Sequence, residues 1–326
     1  MIRPGGQDDP IRRRIQALGS AVSLPTVRKA LGILEGEHPS GRRGNGYDNA
    51  GIRAYEPGDE SRLIDWHSSA RAGRPMIVEK ERQMNSKVWL LLDVGREMTA
   101  TCEGGEQALQ VAVNALLMFA SLSLKRSDDV CLILADDSSI RRIPCKGGLD
   151  RFERVLEKAL AGPRSHPRNL GALLRYVRGI DDPYSLIVLA TDETALGEDD
   201  LGLIHQLART HPMTVATVCV LNPFGPNHDF GSVVDAADGR TVPAFLRRKA
   251  TQDDVMVHRG YLAEALRREL ARNGSTLIRG ASSKDMLDQF IRLLSRTLPA
   301  AGMVPGGRGA GPGRAGALPV RARRSV

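Results

Sequence analysis

The chain has 326 residues, 41% of them hydrophobic and 4% aromatic, with a formal net charge of +8. That length suits one large α/β domain with a smaller attached region, and its core needs no disulfide or metal staple. The charge is uneven: residues 299–326 carry Arg308, Arg314, Arg321, Arg323 and Arg324 and no acid, which leaves +3 for everything before them and argues against a nucleic-acid binder.

Residues 1–10 read as disordered and hold no apolar stretch of signal-peptide type. From Pro10 to Leu34 the spacing of Ile11, Ile15, Leu18 and Val22 predicts one or two short helices, interrupted at Pro25. Residues 36–51, with five glycines, predict loop or irregular extended chain. After Ser86 the pattern changes. Apolar runs at Val88–Val94, Val130–Ala135, Ser185–Thr191, Thr214–Leu221 and Ser275–Arg279 are aliphatic on both faces, as strands of a parallel sheet covered on both sides must be. Helical segments lie between and after them: Gln107–Leu124, Leu149–Leu160, Leu170–Val177, Leu201–Arg209, Gly260–Ala271 and Ser283–Leu298. Ile140–Ile143 predicts an antiparallel edge strand. Pro223–Val257 shows no clear period and reads as a long excursion with one short helix at Pro243–Lys249. The Gly- and Pro-rich tail from Pro299 cannot bury a core.

Cys102, Cys131, Cys145 and Cys219 form no C-x-x-C pair. They read as small buried hydrophobes of a reducing compartment. The most apolar helical run, Ala108–Leu124, carries Gln110, Asn114, Ser121 and Ser123 and falls short of the about 20 mostly apolar residues of a membrane span. A buried core helix, no membrane span and a cytoplasmic location are therefore expected.

One segment is far more specific than its surroundings. It contains Arg53, Tyr55, Pro57-Gly58-Asp59, Arg62, Ile64-Asp65-Trp66, Ala70-Arg71, Gly73, Val78-Glu79 and Glu81. Pro57-Gly58-Asp59 has turn chemistry. Asp65 and Trp66 among Arg53, Arg62, Arg71 and Arg74 suggest carboxylate–guanidinium pairs around one aromatic anchor, a clasp between this segment and the α/β domain. No nucleophile–base set accompanies them.

This segment resembles the signature of the domain-of-unknown-function 58 family, and the resemblance extends over about residues 30–298. It implies a von Willebrand factor A-like domain downstream, no established enzymatic activity, and a partnership with a MoxR-type AAA+ ATPase acting on a client protein or complex. It also directs attention to a metal-ion-dependent adhesion site, which would use a D-x-S-x-S loop, a threonine from a second loop and an aspartate from a third to hold Mg²⁺. Here the first loop is Asp93-Val-Gly95-Arg96-Glu97, the second Arg168-Asn169-Leu170-Gly171 and the third Thr191-Asp192-Glu193. Asp93 and Asp192 match, and the other positions do not. The site reads as degenerate, with no metal or other cofactor expected and with Asp93 and Asp192 capping helices or paired with Arg96 or Arg168. Glu97 in place of a serine would be the route to a non-standard Mg²⁺ site.

Zinc motifs, phosphate-binding loops and nucleophile elbows are absent from the sequence. The resulting expectation is a non-enzymatic adaptor. It has an N-terminal region at 1–85, a doubly wound, mostly parallel von Willebrand A-like domain at 86–298 and a basic tail at 299–326. Its interaction rim would be formed by Asp93, Arg96, Glu97, Arg168, Asp192 and Glu193. The alternatives are a metal-dependent hydrolase centred on Asp59 and Asp65, or nucleic-acid binding through the tail.

Overall fold

Strands that are aliphatic on both faces must lie between two layers of helices, and the chain is built this way in a computed structural model that describes residues 10–21, 46–56, 61, 64–83, 86–182, 185–225 and 233–297. Strands β3 (Lys87–Asp93), β4 (Asp129–Ala135), β6 (Leu186–Asp192), β7 (Met213–Val218) and β8 (Thr276–Gly280) run parallel. The edge strand β5 (Ile140–Cys145) pairs antiparallel with β4, and the sheet order is β5-β4-β3-β6-β7-β8. All five expected parallel strands and the expected edge strand are present.

Alternation along β3 divides the core. Val88, Leu90 and Leu92 face one helical layer, formed by α1 (Pro10–Ala21), α3 (Ala108–Arg126), α4 (Leu149–Ala159) and α8 (Ser283–Thr297). Trp89 and Leu91 face the other, formed by α5 (Leu170–Arg178), α6 (Glu198–Thr210) and α7 (Lys249–Arg272). Helix α3 is apolar and long enough to cross a membrane by length and composition, but 83% of its apolar window is buried inside the protein, with Phe119 stacked edge-on against Phe290 of α8.

Two expectations are corrected. The stretch 46–51, read as loop or irregular extended chain, forms part of a regular strand, β1 (Gly46–Ala54), antiparallel to β2 (Met76–Gln83) around the short helix α2 (Trp66–Ala72). Its glycines and polar residues carry no strand pattern, so backbone pairing with β2 supplies the ladder. Helix α7 begins at Lys249, well before Gly260, and only a 3-10 turn at Ala244–Leu246 precedes it. The first half of α7 buries no apolar face, so periodicity could not reveal it; Leu266 and Leu270 anchor the second half. The expected N-terminal helix α1 packs on the sheet as part of its helical layer: Ile15 is buried in the core and Arg12 pairs with Glu157 of α4 at 3.0 Å. The expected second helix before Leu34 and the tail from residue 299 lie outside the described residues.

Two outcomes follow from this packing. Ile15→Ala should lower unfolding stability by about 2–5 kcal/mol, as for other buried aliphatic truncations, and denaturant melts would show it. Burial pushes the Cys102 and Cys219 thiols up to about 12 and Cys145 up to about 11, and it raises Cys131 as well. All four should therefore resist alkylation at pH 8 while folded and react once denatured, as counted by mass spectrometry.

Candidate functional site

A doubly wound sheet gathers its loops at the carboxyl ends of its parallel strands, and here that edge holds a cluster of ions. Asp93 ends β3 and is 1% exposed. One of its carboxylate oxygens accepts from the Gly95 amide at 2.9 Å and the other from the buried Thr191 hydroxyl at 2.8 Å. Asp192 ends β6, is equally buried, and accepts from the amide and hydroxyl of Thr194 at 2.7 and 2.6 Å. Arg168, from the loop before α5, reaches between the two. Its Nη2 bonds the free oxygen of Asp192, while its Nε lies 3.8 Å from Asp93 and 3.7 Å from Glu97.

The Arg168 loop is fixed as firmly as its side chain. Its amide donates to Glu97 at 2.9 Å, and His166 accepts from the Arg96 amide at 2.8 Å. Pro167 accepts from the Asp137 amide at 2.8 Å, and Asn169 both caps α5 and donates to the Asp137 carboxylate. Gly95 is required by this closeness: a β-carbon there would come within 2.6 Å of the Arg168 nitrogen. Burial raises the pKa of Asp93 above the usual carboxylate range, against the opposing pull of Arg168, Gly95 and Thr191. Burial also disfavours the Arg168 charge, but its bond to Asp192 and the charges of Asp192, Asp93 and Glu97 outweigh this and hold the guanidinium firmly protonated.

An adhesion-type metal site does not fit these residues. The guanidinium lies between the carboxylates where a hard cation would need open oxygens, and among the described residues no group of three or more His, Cys, Asp and Glu could hold a metal. The expected interaction rim is corrected on one point: Asp93, Asp192 and Glu193 are buried, not surface groups. Their charges are neutralised inside the fold, which leaves Arg96, Glu97 and Arg168 half-buried at the edge.

Glu193 belongs to a second ion cluster that sequence reasoning missed. Arg259 of α7 meets one of its oxygens at 2.9 Å, and Arg279 of β8 meets the other at 2.5 Å. Arg259 also donates to the Val220 carbonyl at 2.7 Å. Beside both clusters opens a cavity of about 540 Å³ lined by Glu97, Thr101, Arg168, Val220, Leu221 and Val234 among others.

The signature segment is arranged differently from expectation. Asp65 caps α2, accepting from the Ser68 hydroxyl at 2.8 Å and the His67 amide at 3.0 Å, and the Ser68 hydroxyl chiefly holds its carboxyl below the usual range. Ser69 ties α2 to β2, donating to the Asp65 carbonyl and accepting from the Met76 amide at 2.8 Å. The clasp formed by Asp65 is thus internal to the segment and uses no arginine. Trp66 is 73% exposed and anchors nothing, because seven-residue α2 buries no side chain. Arg71 and Arg74 are exposed and join no ion pair among the described residues. Tyr55 donates its amide to the Pro75 carbonyl, and Arg53 and Glu79 stand in the β1–β2 ladder opposite Ile77 and Gly51. Gly58, Asp59 and Arg62 lie outside the described residues.

A model of the family described as "Protein of unknown function DUF58" matches residues 51–243. Uncharacterized protein Rv1480 of Mycobacterium tuberculosis (strain H37Rv) is 26% identical over 309 residues, 90% of this chain and 92% of that protein, and Uncharacterized protein Mb1516 of Mycobacterium bovis matches equally. Among solved structures, the SpRpn10 VWA domain aligns with 63% of this chain and 95% of its own, at 9% identity and a TM-score of 0.38. An aerotolerance-related membrane protein from Bacteroides fragilis aligns with 65% and 99%, at 14% identity and a TM-score of 0.41.

Arg168→Ala should cost about 3–5 kcal/mol, since it strands buried carboxylates without their cation. Adding Asp93→Asn should return part of that loss, and denaturant titration of the single and double variants measures both.

Proposed function

Because the chain belongs to the DUF58 protein family, we propose that it is a non-enzymatic interaction adaptor, working in the cytoplasm with a MoxR-type AAA+ ATPase in the maturation of a client protein or complex. The observation that carries this reading is the filling of the sheet's carboxyl edge by the chain's own Arg168. That edge is where this architecture ordinarily takes a ligand. With its acids bonded internally, it offers another protein a shaped surface, the apolar-walled cavity rimmed by Glu97, Arg168 and Val234, in place of a reaction centre. In this reading the chain needs no cofactor. The hydrolase alternative gains no support from Asp65, whose carboxylate is occupied as a helix cap.

The test is to tag the chain in its native host, crosslink gently and identify what copurifies with and without ATP. A MoxR-type ATPase should be enriched in an ATP-dependent manner, and Val234→Asp, at the exposed cavity wall, should reduce that enrichment at an unchanged melting temperature. Recovery of the chain alone from the soluble fraction rules the adaptor reading out.

A further inference from the structure

At the end of β3 opposite Asp93 the chain gathers cations around a second cavity. The cavity has a volume of about 540 Å³ and opens beside the last turn of α5, lined by Lys87, Arg142, Arg175, Tyr176, Asp181 and Asp182 among others. That size suits a small molecule. Lys87 opens β3 and meets the buried carboxylate of Asp182 at 2.9 Å, so this acid has its cation. The two arginines have no such partner: both are exposed, and among the described residues neither joins an ion pair.

The fold sets the places of these cations. Arg142 of β5 stands over the ring of the buried Trp89, 4.7 Å from its centroid, and Lys87 lies 4.8 Å from the same centroid, so one indole holds both at the cavity. The groups that raise the pKa of Arg142 are the Cys131 thiol first and the Tyr176 hydroxyl after it, and neither is a carboxylate. Gly171 leaves room along α5 for the Arg175 guanidinium, since a β-carbon there would come within 3.3 Å of its Nη1. Capping of α5 does not account for the arginines: the carbonyls of Arg175, Tyr176 and Val177 already accept from the Gly179 and Ile180 amides. We propose that this cavity binds phosphate, free or carried on a small molecule, between Arg142 and Arg175. One guanidinium fork takes up both oxygens of a carboxylate. A phosphate monoester presents three oxygens and a larger negative charge, enough for both guanidinium groups and the Tyr176 hydroxyl. Asp181, exposed at the rim, disfavours a further anionic group, so the rest of a bound ester is uncharged or cationic. This site is independent of the adaptor reading.

Isothermal titration calorimetry of the full chain with inorganic phosphate and with phenyl phosphate tests the proposal. Saturable one-to-one binding should weaken about tenfold or more in Arg142→Gln and in Arg175→Gln, weaken in high salt, and tighten in Asp181→Asn. Tighter binding of phenyl phosphate assigns the site to an ester, and equal or tighter binding of inorganic phosphate assigns it to the bare ion; both support the proposal. With Trp66→Phe, Trp89 is the one tryptophan left, and its emission should shift on binding because Arg142 lies over its ring. Should Arg142→Gln lower the melting temperature, Arg175→Gln, at an exposed helix position, decides alone. No saturable binding of either probe overturns the proposal. So does binding that Arg175→Gln leaves unchanged, which would place the anion elsewhere.

Discussion

The guanidinium of Arg168 is the interaction on which the upper edge of this molecule depends. Two aspartates at the ends of adjacent parallel strands point the same way at close range, and burial makes their charges costly. Without a cation between them the edge would have to open to water or take up protons. Arg168 supplies that cation from within the chain, and its loop is tied down by Glu97, Arg96 and Asp137 so that the charge stays in place. A fixed internal arginine differs from a bound ion in one important way. It cannot dissociate, so the positive charge at this edge does not depend on the supply of metal.

The second cluster, Glu193 with Arg259 and Arg279, extends the same arrangement across β7 to β8 and α7. Together the clusters connect both helical layers to the sheet edge, since Arg259 comes from the α5–α7 side and Glu97 from the loop leading to α3. The cavity beside them therefore has a rigid floor and apolar walls. Such a surface suits recognition of another protein by shape, with a charged pair at its base for register.

The sheet was legible because a strand buried on both faces leaves an unmistakable aliphatic run; Leu90, Leu91 and Leu92 have no other reading. The β1–β2 pair was not, because Gly46, Asn49 and Gly51 hold their place through backbone bonds to β2, which leave no side-chain signature. The first half of α7 escaped for the opposite reason: its apolar residues face outward, so no stripe marks them. At the site, Asp93, Asp192 and Arg168 could be named from loop positions alone. Arg259 and Arg279 could not, since they meet the cluster only through tertiary packing, although Arg279 at the end of a parallel strand occupied a position that topology could have flagged; Thr191 stands in the third loop, but its bond to Asp93 came only with the fold. Trp66 shows the limit of reading residue type: an aromatic in a specific motif suggests an anchor, yet a helix of about two turns that buries none of its residues has no interior in which to hold it.

The close approach at Gly95 has a consequence for how such a site changes over time. A side chain there collides with the backbone of residue 168, so the serine of a metal-binding loop and the arginine-bearing loop in its present position exclude each other. Neither substitution alone leads from one form to the other: a serine at 95 clashes while the 166–169 loop stays, and removal of Arg168 strands two carboxylates while Gly95 stays. A side chain at 95 therefore requires the 166–169 loop to move with it.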